Sequence, residues 1–299
     1  MNYKMFQNLL LREVQKIAGD GFEVKLESIE KLNGVVRDSI VISKKSDKLA
    51  PTIYLDEFYE RYRMGVSIRH LADLIVTQYQ RVGVKNADRE TDFFTDYQKA
   101  KSSIYCQLIH TRRNQKLLQS VPHQDFLDLS EVYYYRVREE SLPEATILIK
   151  EAHREWWGIS REELTMTAWE NTLRDLPPKL RSLMSVMWDQ IKTEHHADEA
   201  FFNHLDSMLY ILSNEKGCFG AICIRYPNLL GKIADKFESD LFILPSSIHE
   251  CMILPANGDY DEEILSDMVQ EVNRESVDPQ EVLSDRVYYY SRSQGRILE

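Results

Sequence analysis

Residues 241–255 read LFILPSSIHECMILP. Two apolar runs, LFIL at 241–244 and IHECMIL at 248–254, flank Pro245-Ser246-Ser247. Proline presets φ and serine hydroxyls bond nearby backbone, so Pro245 to Ser247 is expected to be a turn between two strands. The pattern continues on both sides. Upstream, MLYILS at 208–213 is a strand, Asn214 to Gly217 a turn, and CFGAICIRY at 218–226 a return strand. Pro227 then opens a helix, because its missing N–H costs little at a first helical position. Leu229, Ile233 and Phe237 line one side of that helix, with Leu230 and Ala234 beside them. Downstream, Asp259 caps a helix with Glu262 three residues on, and Ile264, Met268 and Val272 are its expected buried row. RVYYYS at 286–291 is a fifth strand. The order is ββα-ββα-β. Hairpins joined by helices point to an α+β fold, antiparallel sheets with helices packed on one face.

The remainder fits two further α+β parts. Phe6, Leu10, Val14 and Ile17 recur at helical spacing over 3–18, and Gly19 and Gly21 end that helix. FEVKLESI and VVRDSIVIS then join through Asn33-Gly34, a hairpin turn in which both central residues need positive φ. A helix runs from Asp56 to Gly65, and Ser67 caps another carrying Ile68, Leu71, Ile75 and Tyr79. VGVKNADRETD at 82–92 is a linker. A helix is expected around 95–109, a strand at 131–137 and its partner at 145–149. Gly158 ends a short helix containing Trp156 and Trp157, and Ser160 with Glu163 opens the next, 161–173. Leu176-Pro177-Pro178 breaks the chain, and 179–204 reads as helical. Three domains follow: 1–85, 93–175 and 205–299. LSEVYYYRV near 129–137 and LSDRVYYYS near 283–291 echo one another.

Composition narrows function. The chain of 299 residues is 43% hydrophobic and 28% charged, so it can bury real cores. A net charge of −11 disfavours nucleic acid, and the one basic stretch, Arg112 to Lys116, is too short to reverse that. The four cysteines form no C-x-x-C pair, which suits a reducing compartment. Cys218 and Cys223, on the expected return strand, would face opposite ways and could not share a metal. No signal peptide opens the chain and no window is long and apolar enough for a membrane span, so a cytoplasmic protein is expected.

Ser246, Ser247, His249 and Glu250 bring nucleophile, base and acid types into the five positions 246–250, and with Asp259 they are the candidate binding residues. Catalysis would need the base within reach of the nucleophile and an acid orienting the base. Neighbours on a strand diverge and no G-x-S-x-G elbow is present, so the turn is the preferred account. His195, His196 and His204, with Asp198 and Glu199, resemble metal ligands. The spacing fails, since His196 and His204 stand two turns, about 12 Å, apart on a helix, and a solvated face is expected. The tyrosine runs 133–135 and 288–290 alternate faces and fit sheet packing. Trp156, Trp157 and Trp169 fit core anchors. The acidic run 259–263 lacks calcium-loop spacing, and no phosphate-binding glycine loop supports a nucleotide cofactor.

Several motifs together are similar to a family of uncharacterised proteins: APTIYLDEFYERY at 50–62, TDYQKAK at 95–101, FLDLSEVYYYRV at 126–137, WGISREEL at 157–164, YILSNEKGCFGA at 210–221, FILPSSIHECMILP at 242–255, and most of all DYDEEILSDMVQEVNRESVDPQEVLSDRVYYY at 259–290. The chain resembles a Firmicutes domain-of-unknown-function family distantly similar to YtpQ-type proteins. The resemblance implies a bacterial protein, often encoded near mobile elements, and carries no activity, cofactor or catalytic residue. The expected function is therefore a non-enzymatic interaction or regulatory module whose acidic surface meets a protein partner. The alternatives are a hydrolase using the cluster at 246–250 and a small-molecule sensor with a pocket between sheet and helices.

Overall fold

The computed structural model describes residues 2–44, 52–83, 96–137, 146–186, 209–257 and 260–298. The fold is α+β: the described residues form three antiparallel sheets with helices against them. They sort into two compact units, one within Met1–Asp92 and the other within Phe93–Arg138 and Glu144–Glu299.

In the first unit, α1 (Tyr3–Ala18) precedes the hairpin β1 (Glu23–Glu30) and β2 (Val36–Ser43). Asn33 and Gly34 turn the hairpin at φ 60° and 70°, as the Asn-Gly pair requires. β3 (Thr52–Tyr54) adds to β2. Two helices follow, α2 (Asp56–Arg63) and α3 (Ile68–Gly83), the latter with the Ser67 hydroxyl accepting the His70 N–H. Phe6, Leu10 and Val14 of α1 and Leu71 and Ile75 of α3 close over Ile40 and Ile42 with no exposure at all. Each such side chain contributes about 1.5–3 kcal/mol of burial.

The second unit contains the largest departures from expectation. Residues 95–109 are not one helix. A single turn, α4 (Tyr97–Ala100), leads into β4 (Ile104–His110). β4 pairs along its whole length with β6 (Leu129–Arg136), which is also flanked by β5 (His123–Phe126) and β7 (Thr146–Leu148). Both β4 and β6 are buried on both faces, so neither shows the polar alternation that marks a half-exposed strand. Between β4 and β5 lies another single turn, α5 (Gln115–Leu118). Tyr133, Tyr134 and Tyr135 pack inside the sheet. α6 (Glu151–Trp157) ends at left-handed Gly158, and the Ser160 hydroxyl caps α7 (Arg161–Asp175) by accepting the Glu163 N–H. Trp157 is buried, but Trp156 is 68% exposed and anchors no core.

The 179–204 stretch expected to be helical starts instead with β8 (Pro178–Ser182), and the histidine-rich part of it, His195 to His204, lies outside the described residues. β8 is the edge of a six-stranded sheet ordered β13-β12-β10-β11-β9-β8. Its other strands are β9 (Tyr210–Asn214), β10 (Leu241–Ser247), β11 (Glu250–Pro255), β12 (Tyr288–Ser291) and β13 (Arg296–Leu298). The expected return strand CFGAICIRY is a 3-10 turn, Gly220–Arg225, so Cys223 lies on no strand. β9 already has β8 and β11 on its two sides, which leaves no edge for a return strand. Pro227 precedes the helix α8 (Leu229–Phe237) rather than opening it, and Asn228 at φ 58° is its N-cap. α9 (Glu262–Glu275) is capped by Asp261, and Asp259 lies outside the described residues. Its buried row is Leu265, Val269 and Asn273, one position on from the expected Ile264, Met268 and Val272. The one-sided helix cover expected for the sheets holds for the first unit. In the six-stranded sheet, α9 sits on the Phe242, Leu244 and Leu254 face. Phe237 of α8 packs against Tyr210 with ring centres 4.5 Å apart, and Tyr210 shares the Ile253 and Ile243 face, so the two helices cover opposite sides.

One ion pair joins the four-stranded sheet to the 3-10 turn. Glu131 of β6 has no exposed side-chain surface. Its Oε2 accepts from Arg225 Nη1 and its Oε1 from Trp169 Nε1 at 3.0 Å. The Arg225 guanidinium lies 4.9 Å from the Phe126 ring centre and 5.7 Å from that of Trp169. Burial pushes the Glu131 carboxyl above its ordinary value, and Arg225 and Trp169 pull it back. Arg225→Met strands this charge and is expected to cost about 3–5 kcal/mol in urea unfolding. Glu131→Leu/Arg225→Met together are expected to recover most of that loss; a double variant as unstable as the single would show that packing, not the orphaned charge, is responsible.

Candidate functional site

β10 does not stop before Pro245. It runs to Ser247, with a register shift between Leu244 and Ser247, and the reversal falls at Ile248-His249. A proline has no N–H for the ladder, so it sits where a strand bulges. The bulge is sewn to a neighbouring segment. The Pro245 carbonyl accepts the Ser284 N–H at 2.9 Å, Ile248 N–H donates to the Glu281 carbonyl at 2.9 Å, and Ser247 bridges Val282. His249 is thus carried at the tip of a hairpin, not along a strand.

The sequence candidates come together here in part. The Ser247 hydroxyl accepts the backbone N–H of His249 at 3.1 Å. His249 Nδ1 accepts the Phe219 N–H at 3.2 Å, and Nε2 faces Glu281 Oε1 at 3.6 Å. Its ring stacks on Phe219 with 15° between planes, and Phe219 packs edge-on against Tyr134 of β6. The His249 carbonyl accepts the Ser213 hydroxyl at 2.8 Å. Glu250 starts β11, half-buried, and burial raises its carboxyl above the ordinary value while His249 opposes the shift. Ser246 is in β10 and its side chain lies outside the described part, as does Asp259. Gly220 closes the arrangement: a Cβ there would collide with Ser213 Oγ and come within 2.6 Å of the His249 carbonyl.

This geometry gives the imidazole a fixed place. With Nδ1 holding an amide N–H, the neutral ring carries its proton on Nε2, toward Glu281. The Ser247 hydroxyl contacts backbone, so the ring is not poised to take its proton. Two thiols nearby are also quiet: burial pushes Cys223 up to about 12 and Cys251 well above its usual value. Among the described residues, no three His, Cys, Asp or Glu side chains gather as a metal site, and no helix is long and apolar enough to cross a membrane.

A second candidate region lies in the first unit and was not singled out from sequence. A hollow of about 820 Å³ opens between the start of α1, the start of β2 and α2, lined by Tyr3, Val36, Asp38, Tyr59, Glu60 and Met64 among others. It meets a smaller hollow of about 490 Å³ at Tyr59, which lines both. Tyr3 packs edge-on against Tyr59 at 4.7 Å, and Tyr59 stacks with Tyr62 at 6.4 Å. Val36 and Met64 at the rim are 61% and 82% exposed. Asp38 is held from two sides, accepting from Gln7 at 2.7 Å and Ser28 at 2.6 Å. Burial and the neighbouring Asp38 and Asp56 push the Tyr3 hydroxyl up to about 12. The signal in the sequence was EFYERYRM at 57–64, where aromatic, acidic and basic residues alternate and end in an apolar side chain.

The fold and these sites define an α+β protein with two surface regions of organised polar and aromatic groups. The chain belongs to a family of unknown function, DUF5688, whose model matches residues 3–292. The match agrees with the resemblance as far as such a family and carries no link to Firmicutes or to YtpQ-type proteins. No curated protein and no solved structure matches the chain.

The raised carboxyl of Glu250 has a pH consequence. A carboxyl whose value is higher folded than unfolded adds stability below the unfolded value, about 4.3, and that stability is lost as pH rises through the folded value. Glu250→Gln removes the titration. It is expected to raise the melting temperature relative to wild type at about pH 7.5, with the advantage shrinking toward about pH 4. Melting curves with the same offset at both pH values would show that Glu250 is not penalised by burial.

Proposed function

We propose that this protein is an interaction module that recognises a partner protein through the Tyr59 groove of its first unit. The observation that carries the reading is the pair of adjoining hollows walled by Tyr3, Tyr59 and Tyr62, with Val36 and Met64 exposed at the rim. Aromatic anchors beside exposed apolar groups in a concave surface are what recognition surfaces are built from. The hairpin tip supports the reading less well, because the polar groups of Ser213, Ser247 and His249 are engaged in holding the tip itself. That engagement also gives the hydrolase alternative no favouring contact. The expectation of a regulatory module within the cytoplasm stays part of this proposal.

The test is affinity capture from the source cell by three immobilised full-length chains: wild type, Val36→Ser/Met64→Ser and His249→Ala/Glu250→Ala. The two rim residues are exposed, so their substitution should leave folding within about 0.5 kcal/mol. A partner held by wild type and by the hairpin variant, and weakened about tenfold or more by the rim variant, is the expected result. A partner held equally by the rim variant would move recognition away from the groove.

A further inference from the structure

We propose that the occupant of this groove is a basic segment of a partner protein, seating a Lys or Arg side chain against Tyr3 and Tyr59 and an apolar side chain against Val36 and Met64. The inference rests on the groove reading above and adds the chemistry of the partner. The charged residues lining the larger hollow are Asp38, Asp56, Glu57 and Glu60 against Arg61, four acids to one base. An acidic wall around aromatic rings favours a cation twice over, by charge and by the negative ring face. It disfavours a phosphate backbone and an acidic peptide for the same reason.

The acids are also available. Glu57 pairs with Arg61 at 3.5 Å and Glu60 with Arg63 at 3.3 Å, and all four side chains are more than half exposed. Such pairs along one helix are weak, about 0.3–0.5 kcal/mol, so an incoming guanidinium can displace them at little cost. Asp56 is different: it pairs with the largely covered Arg37 at 3.4 Å. Asp38 is fixed by Gln7 and Ser28. Two carboxylates therefore frame the hollow and two can be re-partnered. The rings are held in place, because Phe6 packs 5.1 Å from Tyr59 and 5.2 Å from Tyr62 beneath them. A rigid aromatic floor loses little entropy on binding. The apolar rim gives the second half of the specificity: a purely polar cation, such as a free polyamine, would leave Val36 and Met64 uncovered.

The experiment measures binding of three labelled peptides of equal length to the full chain by fluorescence anisotropy. One alternates Arg and Leu, one replaces Arg by uncharged citrulline, and one replaces Arg by Glu. Each is run against wild type, Glu57→Lys/Glu60→Lys and Val36→Ser/Met64→Ser. The expected result is saturable binding of the Arg peptide, weakened about tenfold by each variant, with the citrulline and Glu peptides at least as much weaker on wild type. Equal binding of Arg and citrulline peptides, both lost in the Val36/Met64 variant, would overturn the basic-segment inference and leave the groove reading standing. Arg-peptide binding lost only in the Lys variant would be diffuse attraction to an acidic surface, and would overturn the groove as the seat. No saturable binding of the Arg peptide overturns the basic-segment inference, with the groove itself then judged by the capture experiment.

Discussion

A carboxylate with no solvent exposure cannot stay charged in an apolar interior without partners, and Glu131 sets that condition for the second unit. Its partners come from two directions in the chain. Trp169 lies on α7, and Arg225 stands at the end of the 3-10 turn that follows β9. Arg225 is itself sandwiched toward Phe126 and Trp169, so the guanidinium is placed by ring faces as well as by charge. Any packing that moved the 3-10 turn away from the four-stranded sheet would uncover this pair or orphan it. A second set of polar contacts runs the same way: Asp128, just before β6, accepts from Ser284 at 2.7 Å and also from Tyr288, and Arg113 reaches Asp285 at 2.5 Å. Directional contacts of this kind select one arrangement of two sheets, where apolar surface alone would accept several.

The hairpin tip depends on the same placement. Phe219 stands immediately before the 3-10 turn at φ 52°, with its ring between His249 and Tyr134. Gly220 follows because only a residue without a Cβ fits against Ser213 and the His249 carbonyl. The chain can therefore leave β9 at Asn214, pass the β10–β11 turn at Phe219 and Gly220, and bring Arg225 to Glu131 at the end of the 3-10 turn. His249 stacks on Phe219 and accepts its N–H, so the ring is oriented from outside its own hairpin as well as by the Ser247 hydroxyl within it.

Local chemistry was legible wherever a single short-range rule decided the structure. Asn33-Gly34, Ser67, Gly158 and Ser160 each act through contacts a few residues away, and each stands where its type requires. The tyrosine run at 133–135 was legible as sheet packing because three neighbouring strand residues must alternate faces. Misreading began where tertiary contacts overrode local pattern. β4, buried on both faces, lacks any periodicity to separate it from a helix. CFGAICIRY has strand composition, yet both edges of β9 were already taken. The buried row of α9 lies one residue on from the expected one because the sheet beneath takes Leu265 and Val269 over their equally apolar neighbours Ile264 and Met268. Of the Tyr59 groove only the α2 wall, EFYERYRM at 57–64, has a local signature; Tyr3 and Val36 join it only after the helices and the hairpin have packed.

The two units use the same kind of charge pair in opposite ways. Between Glu131 and Arg225 the carboxylate is fully enclosed, so separating the pair leaves a charge in an apolar interior and the geometry is strongly held. Along α2 the pairs are open to water, and water competes for each charge at nearly equal strength. An enclosed pair specifies architecture and has nothing left for a ligand. An open pair specifies little, but its carboxylates remain free to exchange one cation for another. Placing the open pairs beside a rigid aromatic floor and an uncovered apolar rim turns that weakness into selectivity, because a cation that also brings apolar surface gains what the chain's own arginines cannot supply.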